Sequence, residues 1–356
     1  MTLLEQRMAN LRKMQANLEQ NAAEWIEVRS NEAMTTWQDG YGQDFVPTDL
    51  ASMILTTARN TDSFYSKLGA PIIMPSSVYT IPVEWTDPTW YASSEQANVT
   101  ATAVTTSKAG TGDIVLTAKK YSMSTYTSGE LDEDSIINIK SYISDKIGVS
   151  YAELLDKIWY NGDTTTDATG NVNMDDEAPT AGSYFLHQNG LFYSAIANSM
   201  TVNAGTLDLA DIRGLRKLMG LKGLDPTKLL LIPNTDTYFK LLALTQAETM
   251  EKFGGQATVL NGRLAAIDGI EVMPTSLFGN AEADGKLSYD TPSNNTLGRM
   301  LLVYKPDLLH GFKRNIQVFT DYLPEYDQYR FTAHFRYAIK LRATNSATAA
   351  INITVA

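Results

Sequence analysis

Val78-Tyr79-Thr80-Ile81-Pro82-Val83-Glu84-Trp85 leads outward as a strand, and strand-like residues return at Ile114, Leu116, Tyr121, Met123 and Thr125. Between the two legs, roughly 87–113, lies a tip of Ser, Thr, Ala, Asn and Gly that has little to bury. Apolar residues then recur at Ile136, Ile139, Ile143, Ile147, Tyr151, Leu154 and Ile158. Steps of three and four predict one continuous helix of about six turns. An isolated two-stranded arm is marginal in water and gains stability by lying on something else. A chain that spends this many residues on such an arm reads as a building block of an assembly more than as an enzyme. The tip carries Trp90, Tyr91 and a lone lysine, Lys108. The two aromatics form either a docking surface or a local cluster beneath the loop.

The predicted helix starts well. Ser128 is placed to cap it, and Glu130, Asp132, Glu133 and Asp134 put carboxylates at the positive end of its dipole. Those acids lack the twelve-residue loop of alternating oxygen ligands that calcium requires. Asn161-Gly162 suits the stop, since both residues tolerate the left-handed conformation. Upstream, residues 1–37 read as a helix in which Leu4, Leu11, Leu18 and Trp25 recur every seven positions, with Arg7 and Asn21 interrupting the heptad. That helix serves either as an arm reaching other subunits or as a cover for its own domain. Residues 36–47 read as a connector, and Thr48 or Asp49 caps a helix through about Leu68, with Pro71 marking the stop.

Downstream the chain alternates helix and strand. A helix is predicted over Leu209 to Leu221, interrupted by Gly214, then a buried strand over Lys228 to Ile232 and a helix opened by Pro233-Asn234-Thr235. Further strands at Ile270 to Met273 and Met300 to Tyr304 imply a compact α/β subdomain. From Tyr329 to Arg342 the pattern has period two. Tyr329, Phe331, Ala333, Phe335, Tyr337, Ile339 and Leu341 share one face; Arg330, Thr332, His334, Arg336, Ala338, Lys340 and Arg342 share the other. The basic face is either a surface that meets acidic residues of adjacent subunits or a solvated face guarding an edge strand. Asn345 to Ala356 supplies one more strand.

With 356 residues, the chain has room for two or three domains, and no apolar run is long enough to span a membrane. The polar N-terminus does not read as a secretion signal. There is no cysteine, hence no disulfide, thiolate metal site or cysteine nucleophile. A net charge of −11 argues against a general nucleic-acid binder, although an acidic wall can still enclose DNA that must slide past it. His187, His310 and His334 lack metal-ligand spacing and are expected to make structural hydrogen bonds. No nucleophile elbow or Gly-Lys-Ser/Thr phosphate loop occurs, and Gly110-Thr111-Gly112 is better read as a hairpin turn than as a dinucleotide fingerprint. No active site, cofactor or metal site is assigned.

Taken in order, these elements resemble the major capsid protein of tailed double-stranded DNA bacteriophages, the Hong Kong 97-type shell fold. The resemblance is carried by Glu130-Leu131-Asp132-Glu133-Asp134-Ser135 and Trp159-Tyr160-Asn161-Gly162-Asp163 at the two ends of the long helix. Gly190-Leu191-Phe192, Leu230-Leu231-Ile232-Pro233-Asn234 and the strand from Arg330-Phe331 to Arg342 add to it. It implies an α+β fold with an N-terminal arm (1–45), an extended β-hairpin loop (76–129) and a long spine helix (130–160). A peripheral domain would comprise 46–75, 130–225 and 312–356, and an axial domain 226–311. The implied function is a non-enzymatic shell subunit that forms hexamers and pentamers and encloses double-stranded DNA. Implied partners are other copies, portal and scaffolding proteins, with a decoration protein as a further candidate, and no membrane. Such a subunit is assembled in the bacterial host cytoplasm and resides in the virion. Trp90, Tyr91, Lys108, Arg330, Arg336, Lys340 and Arg342 are the candidate intersubunit contacts. Some relatives crosslink a loop lysine to a neighbour; Lys108 is the tip candidate, and no catalytic residue is assigned for it. The alternatives are an encapsulin-type shell around enzyme cargo and a soluble carboxylate-based enzyme or binding module.

Overall fold

Residues 7, 8, 10–17, 63–92, 105–135, 139–244 and 263–355 are described in a computed structural model of the chain. The chain divides into two compact units, Met1–Thr57 and Ala58–Ala356. In the first, residues 7, 8 and 10–17 are helical and exposed. The rest of the predicted arm, the connector at 36–47, most of the helix expected after Thr48 and the tip at 93–104 lie outside the described residues.

The described part of the second unit opens on a 3-10 turn, Phe64–Lys67, where the end of an α-helix was expected. Then come β1 (Ile72–Ile73), β2 (Val78–Thr86), β3 (Gly110–Thr117) and β4 (Lys119–Ser128). Helix α1 (Gly129–Asp134) follows, then α2 (Ile139–Asn161), α3 (Leu191–Ala197), β5 (Thr201–Gly205) and α4 (Leu209–Leu218). Next are β6 (Leu229–Pro233), α5 (Thr235–Leu242), β7 (Ala266–Ile267), β8 (Ile270–Val272) and β9 (Leu297–Tyr304). The chain ends with β10 (Leu308–Leu323), β11 (Gln328–Leu341) and β12 (Ala347–Thr354).

The returning leg of the hairpin is shorter than its pattern suggested. β2 and β3 form their own two-stranded sheet, and Tyr121, Met123 and Thr125 belong to β4, which pairs with β11 instead. Gly110 and Gly112 sit inside β3, so they form no turn; Gly112 leaves room for the Trp85 indole. The long helix is likewise divided. Ser128 caps α1 by accepting the Leu131 N–H, but Ser135 is extended, and α2 is a separate helix from Ile139 onward. Ile136 lies outside the described residues.

The six-stranded sheet runs β5-β12-β9-β6-β8-β7 and is buried on both faces. Leu230, Ile232, Leu301, Val303, Ala349 and Ile351 face one core, which also takes Trp159, Tyr160, Leu191 and Phe192. Leu229, Leu231, Met300, Leu302, Ala350 and Ile353 face a second core with Ile212, Leu215 and Leu241. This is why these strands read as unbroken apolar runs, whereas β11 alternates. The sheet unites strands from 226–311 with β5 and β12. α4 is uninterrupted at Gly214 and opens with a capping box between Asp208 and Asp211.

The four-stranded sheet runs β1-β10-β11-β4, which makes β11 an interior strand and removes the edge-guarding role considered for its basic face. α2 covers one face: Ile147 packs on Phe331 and Ala333, and the Tyr151 ring meets Phe335 edge-on at 4.9 Å. Its C-terminal half sinks deeper, burying Leu155, Ile158, Trp159 and Tyr160. Gly162 follows the helix without left-handed backbone, contrary to expectation. It is glycine for space: a Cβ would sit 2.5 Å from the Gln188 carbonyl, and Gly190 N–H donates to the Gly162 carbonyl at 2.7 Å.

Candidate assembly surfaces

Three surfaces hold the residues singled out above. The first is the β2–β3 hairpin. Its base is anchored where Met74, Leu116 and Ala118 pack on Ala338 of β11, with Tyr79 and Ile81 against them. Further out it buries little: Val115 and Trp85 are exposed, and Trp90 beyond β2 is 97% exposed. Among the described residues no cluster shelters Trp90. Tyr91 is half-exposed and Lys108 is exposed.

The second surface is a cleft of about 1100 Å³ between the hairpin and the body. Val83, Glu84, Trp85 and Asp113 form one wall; Lys222, Asp307, Lys340 and Arg342 stand on the other. Lys340 and Arg342 are therefore brought together. The cleft floor is rigid because Lys222 Nζ bonds Asp307 at 2.5 Å, Asn345 at 2.7 Å and Ser346 at 2.8 Å, while Ser346 Oγ donates to Asp307 at 2.5 Å.

The third is the open face of the four-stranded sheet. Arg330 and Arg336 lie on it, but in different surroundings. Arg330 is already paired with Asp321 at 3.0 Å. Arg336 stands in register with Arg314 on β10 and Lys120 on β4, so three cations form one cross-strand row. Arg314 and Lys120 were missed because cross-strand adjacency depends on register, which no local pattern prints.

Two buried polar systems hold the body behind these surfaces. His310 Nε2 donates to the Gly69 carbonyl at 2.7 Å, and its Nδ1 accepts from Tyr337 Oη at 3.4 Å; that oxygen accepts the Trp159 indole N–H at 3.0 Å. Burial pulls the His310 pKa below its ordinary value against the opposing carbonyl hydrogen bond. Of the other histidines, His187 makes an edge-on ring contact with Tyr121 and His334 Nδ1 has no hydrogen-bond partner among the described residues. Arg299, unremarked in the sequence, is fully buried. Its Nε donates to the Gly279 carbonyl at 3.0 Å and Nη1 to that of Gly285 at 2.9 Å, with the Phe192 ring 4.3 Å away. Burial lowers its pKa to about 9, which leaves it charged at neutral pH.

Among the described residues, Asp175, Asp176 and Glu282 are near enough to share a cation. Their charge is already met in part, since Lys286 Nζ lies 2.9 Å from Asp175, the Gly170 N–H donates to Asp175 and Ser288 Oγ donates to Asp176. The group pins the 163–182 loop to 284–298.

Comparisons with known proteins accord with this architecture. The chain is 24% identical over 190 residues to the major capsid protein of Escherichia phage T5, covering 53% of this chain and 38% of that protein. The chain thus spans well under half of that curated relative. Among solved structures, a chain from Microbacterium phage Oxtober96 superposes with a TM-score of 0.64 at 18% identity, covering 89% of this chain and 98% of that one. A chain from the capsid of a native GTA particle gives 0.61 at 14% identity over 90% and 99%, and one from Mycobacterium phage Bobi gives 0.60 at 16% over 90% and 99%. These likenesses establish the shared, Hong Kong 97-type fold. The sequence profile of the phage capsid family matches residues 42–251, more than half of the chain, and the chain belongs to that family.

Proposed function

We propose that this chain is the major capsid protein of a tailed phage, and that its copies join as hexamers and pentamers into the icosahedral head around double-stranded DNA. The observation that carries the reading is the β2–β3 hairpin, which is anchored at its base yet exposes Trp85 and Trp90 beyond it. A two-stranded arm of this kind needs a second surface to lie on, and a neighbouring copy supplies one. Trp90, Tyr91 and Lys108 would contact that neighbour, and Lys340 and Arg342 would meet it at the cleft. The hairpin is the extended loop of this reading, α2 the spine, the four-stranded sheet the peripheral domain and the six-stranded sheet the axial one. Each contact is modest, but a subunit held at several interfaces is held firmly. Portal, scaffolding and decoration proteins would be further partners, and assembly would occur in the host cytoplasm. The family match favours this viral reading over an encapsulin-type compartment. Expression of the chain followed by negative-stain electron microscopy tests it: closed particles or capsomers are expected, and a monomer at every concentration, with or without a scaffolding protein, overturns it.

A further inference from the structure

Resting on that shell reading, we propose that copies join head to tail through the open face of the four-stranded sheet. The acidic tip of one β10–β11 hairpin seats on the cationic row Lys120–Arg336–Arg314 of the next copy.

The row is an unusual thing for a subunit to carry alone. Arg314 opposes Arg336, which opposes Lys120, so like charges stand directly across adjacent strands and repel. Among the described residues no carboxylate forms an ion pair with any of the three, although the chain as a whole is acidic. Arg336 Nε is shielded from solvent and has no hydrogen-bond partner among them. Arg314 and Lys120 are exposed. α2 occupies the opposite face of the sheet, and the hairpin base packs beside the row at Ala338.

The same sheet carries the complementary charge at its other end. Asp321, Glu325 and Asp327 are exposed around the β10–β11 turn. The Gly129 N–H donates to the Asp327 carbonyl at 2.7 Å and docks α1 there, adding exposed Glu130 and Glu133. Against these five carboxylates stand Arg330, paired with Asp321, and Lys140, which lies 4.0 Å over the Tyr329 ring. From Arg336 to Gln328 is about 26 Å along β11 at roughly 3.3 Å per residue. That exceeds the screening length of about 10 Å at 0.1 M salt, so the two ends do not neutralise each other within one copy. A heterologous contact between them repeats from copy to copy and closes into a ring where the rotation allows. Packaged DNA would fit the face less well, because a polyanion running along it would meet the tip carboxylates.

Charge reversal separates the possibilities. One variant carries Lys120→Glu and Arg314→Glu; a second carries Glu130→Lys, Glu133→Lys and Glu325→Lys; a third combines all five. Particle yield is read by sedimentation velocity and electron microscopy, with circular dichroism as a check on folding. Each single-end variant is expected to lose assembly about tenfold or more, because like charges now face each other. The combined variant is expected to recover it, which also shows that the altered chains fold. If wild type assembles and both single-end variants match it, the pairing is wrong while the shell reading stands. Loss without recovery in the combined variant also overturns the pairing, as does a row reversal that releases DNA from otherwise normal particles. A wild-type chain that never assembles overturns both readings.

Discussion

At the scale of single residues, the buried polar groups behind the assembly surfaces are where chemistry most constrains this chain. His310 needs its proton on Nε2 to reach the Gly69 carbonyl and a free lone pair on Nδ1 for Tyr337. Protonation removes that lone pair, and burial disfavours the charge, so the folded-state pKa lies below the ordinary 6.5. A group depressed in this way stabilises the neutral form; the stability is present above pH 6.5 and is lost as pH falls from there toward the folded value. The melting temperature is therefore expected to drop on acidification below about pH 6.5, and the drop to shrink in His310→Gln, by differential scanning calorimetry across that range. Arg299 poses a different constraint, with no carboxylate among its hydrogen-bond partners and two backbone carbonyls that depend on it. Arg299→Ala is expected to cost about 3–5 kcal/mol in urea unfolding, from lost packing on Phe192 and stranded carbonyls together. Arg299→Lys should recover little of this, since an ammonium lacks the planar fork that serves both.

Elements here hold together by matching periods. α2 presents Ile147 to Phe331 and Ala333 of β11, a helical stripe against a period-two face. Ile147→Asp would place a carboxylate in that seam without a partner, and is expected to cost several kcal/mol and to abolish cooperative unfolding. Ile143 is only partly buried beside it, so Ile143→Asp should cost much less. No loss at either position would show that the stripe is not core. Residue spacing made this seam readable before any coordinates, because helix and strand periods are local properties. The break at Ser135 was not readable, since the apolar spacing continues across it; α1 is docked separately, through the Gly129 N–H on the Asp327 carbonyl.

For the whole molecule, the hairpin is the element whose loss separates folding from assembly. Deleting about 85–114 removes exposed Trp85 and Trp90 and one buried residue, Ile114, while sparing Met74, Leu116, Ala118 and Ala338 at the anchor. The variant is expected to stay soluble with a cooperative melt close to wild type, yet to form no closed particles in electron micrographs. Normal shells from that deletion would remove the hairpin from the assembly mechanism.

What residue order settled by itself was local. The alternation of β11, the helix spacing around Ile147 and the Ser128 and Asn234 caps follow from backbone geometry and short-range hydrogen bonding. Trp90, Lys340 and Arg342 were legible as surface candidates for the same reason. Tertiary structure alone decided which strands are neighbours. β12 reaches back to pair with β5 and β9, β4 leaves the hairpin for β11, and Gly162 is required by a loop that returns to meet it. The cation row belongs to this second class. Lys120, Arg314 and Arg336 are far apart along the chain and meet only through the register of three strands, with bulges on either side of Arg314. A one-residue slip would turn each to the other face, and what prevents it is the burial of Phe331, Phe335 and Tyr337 against the core.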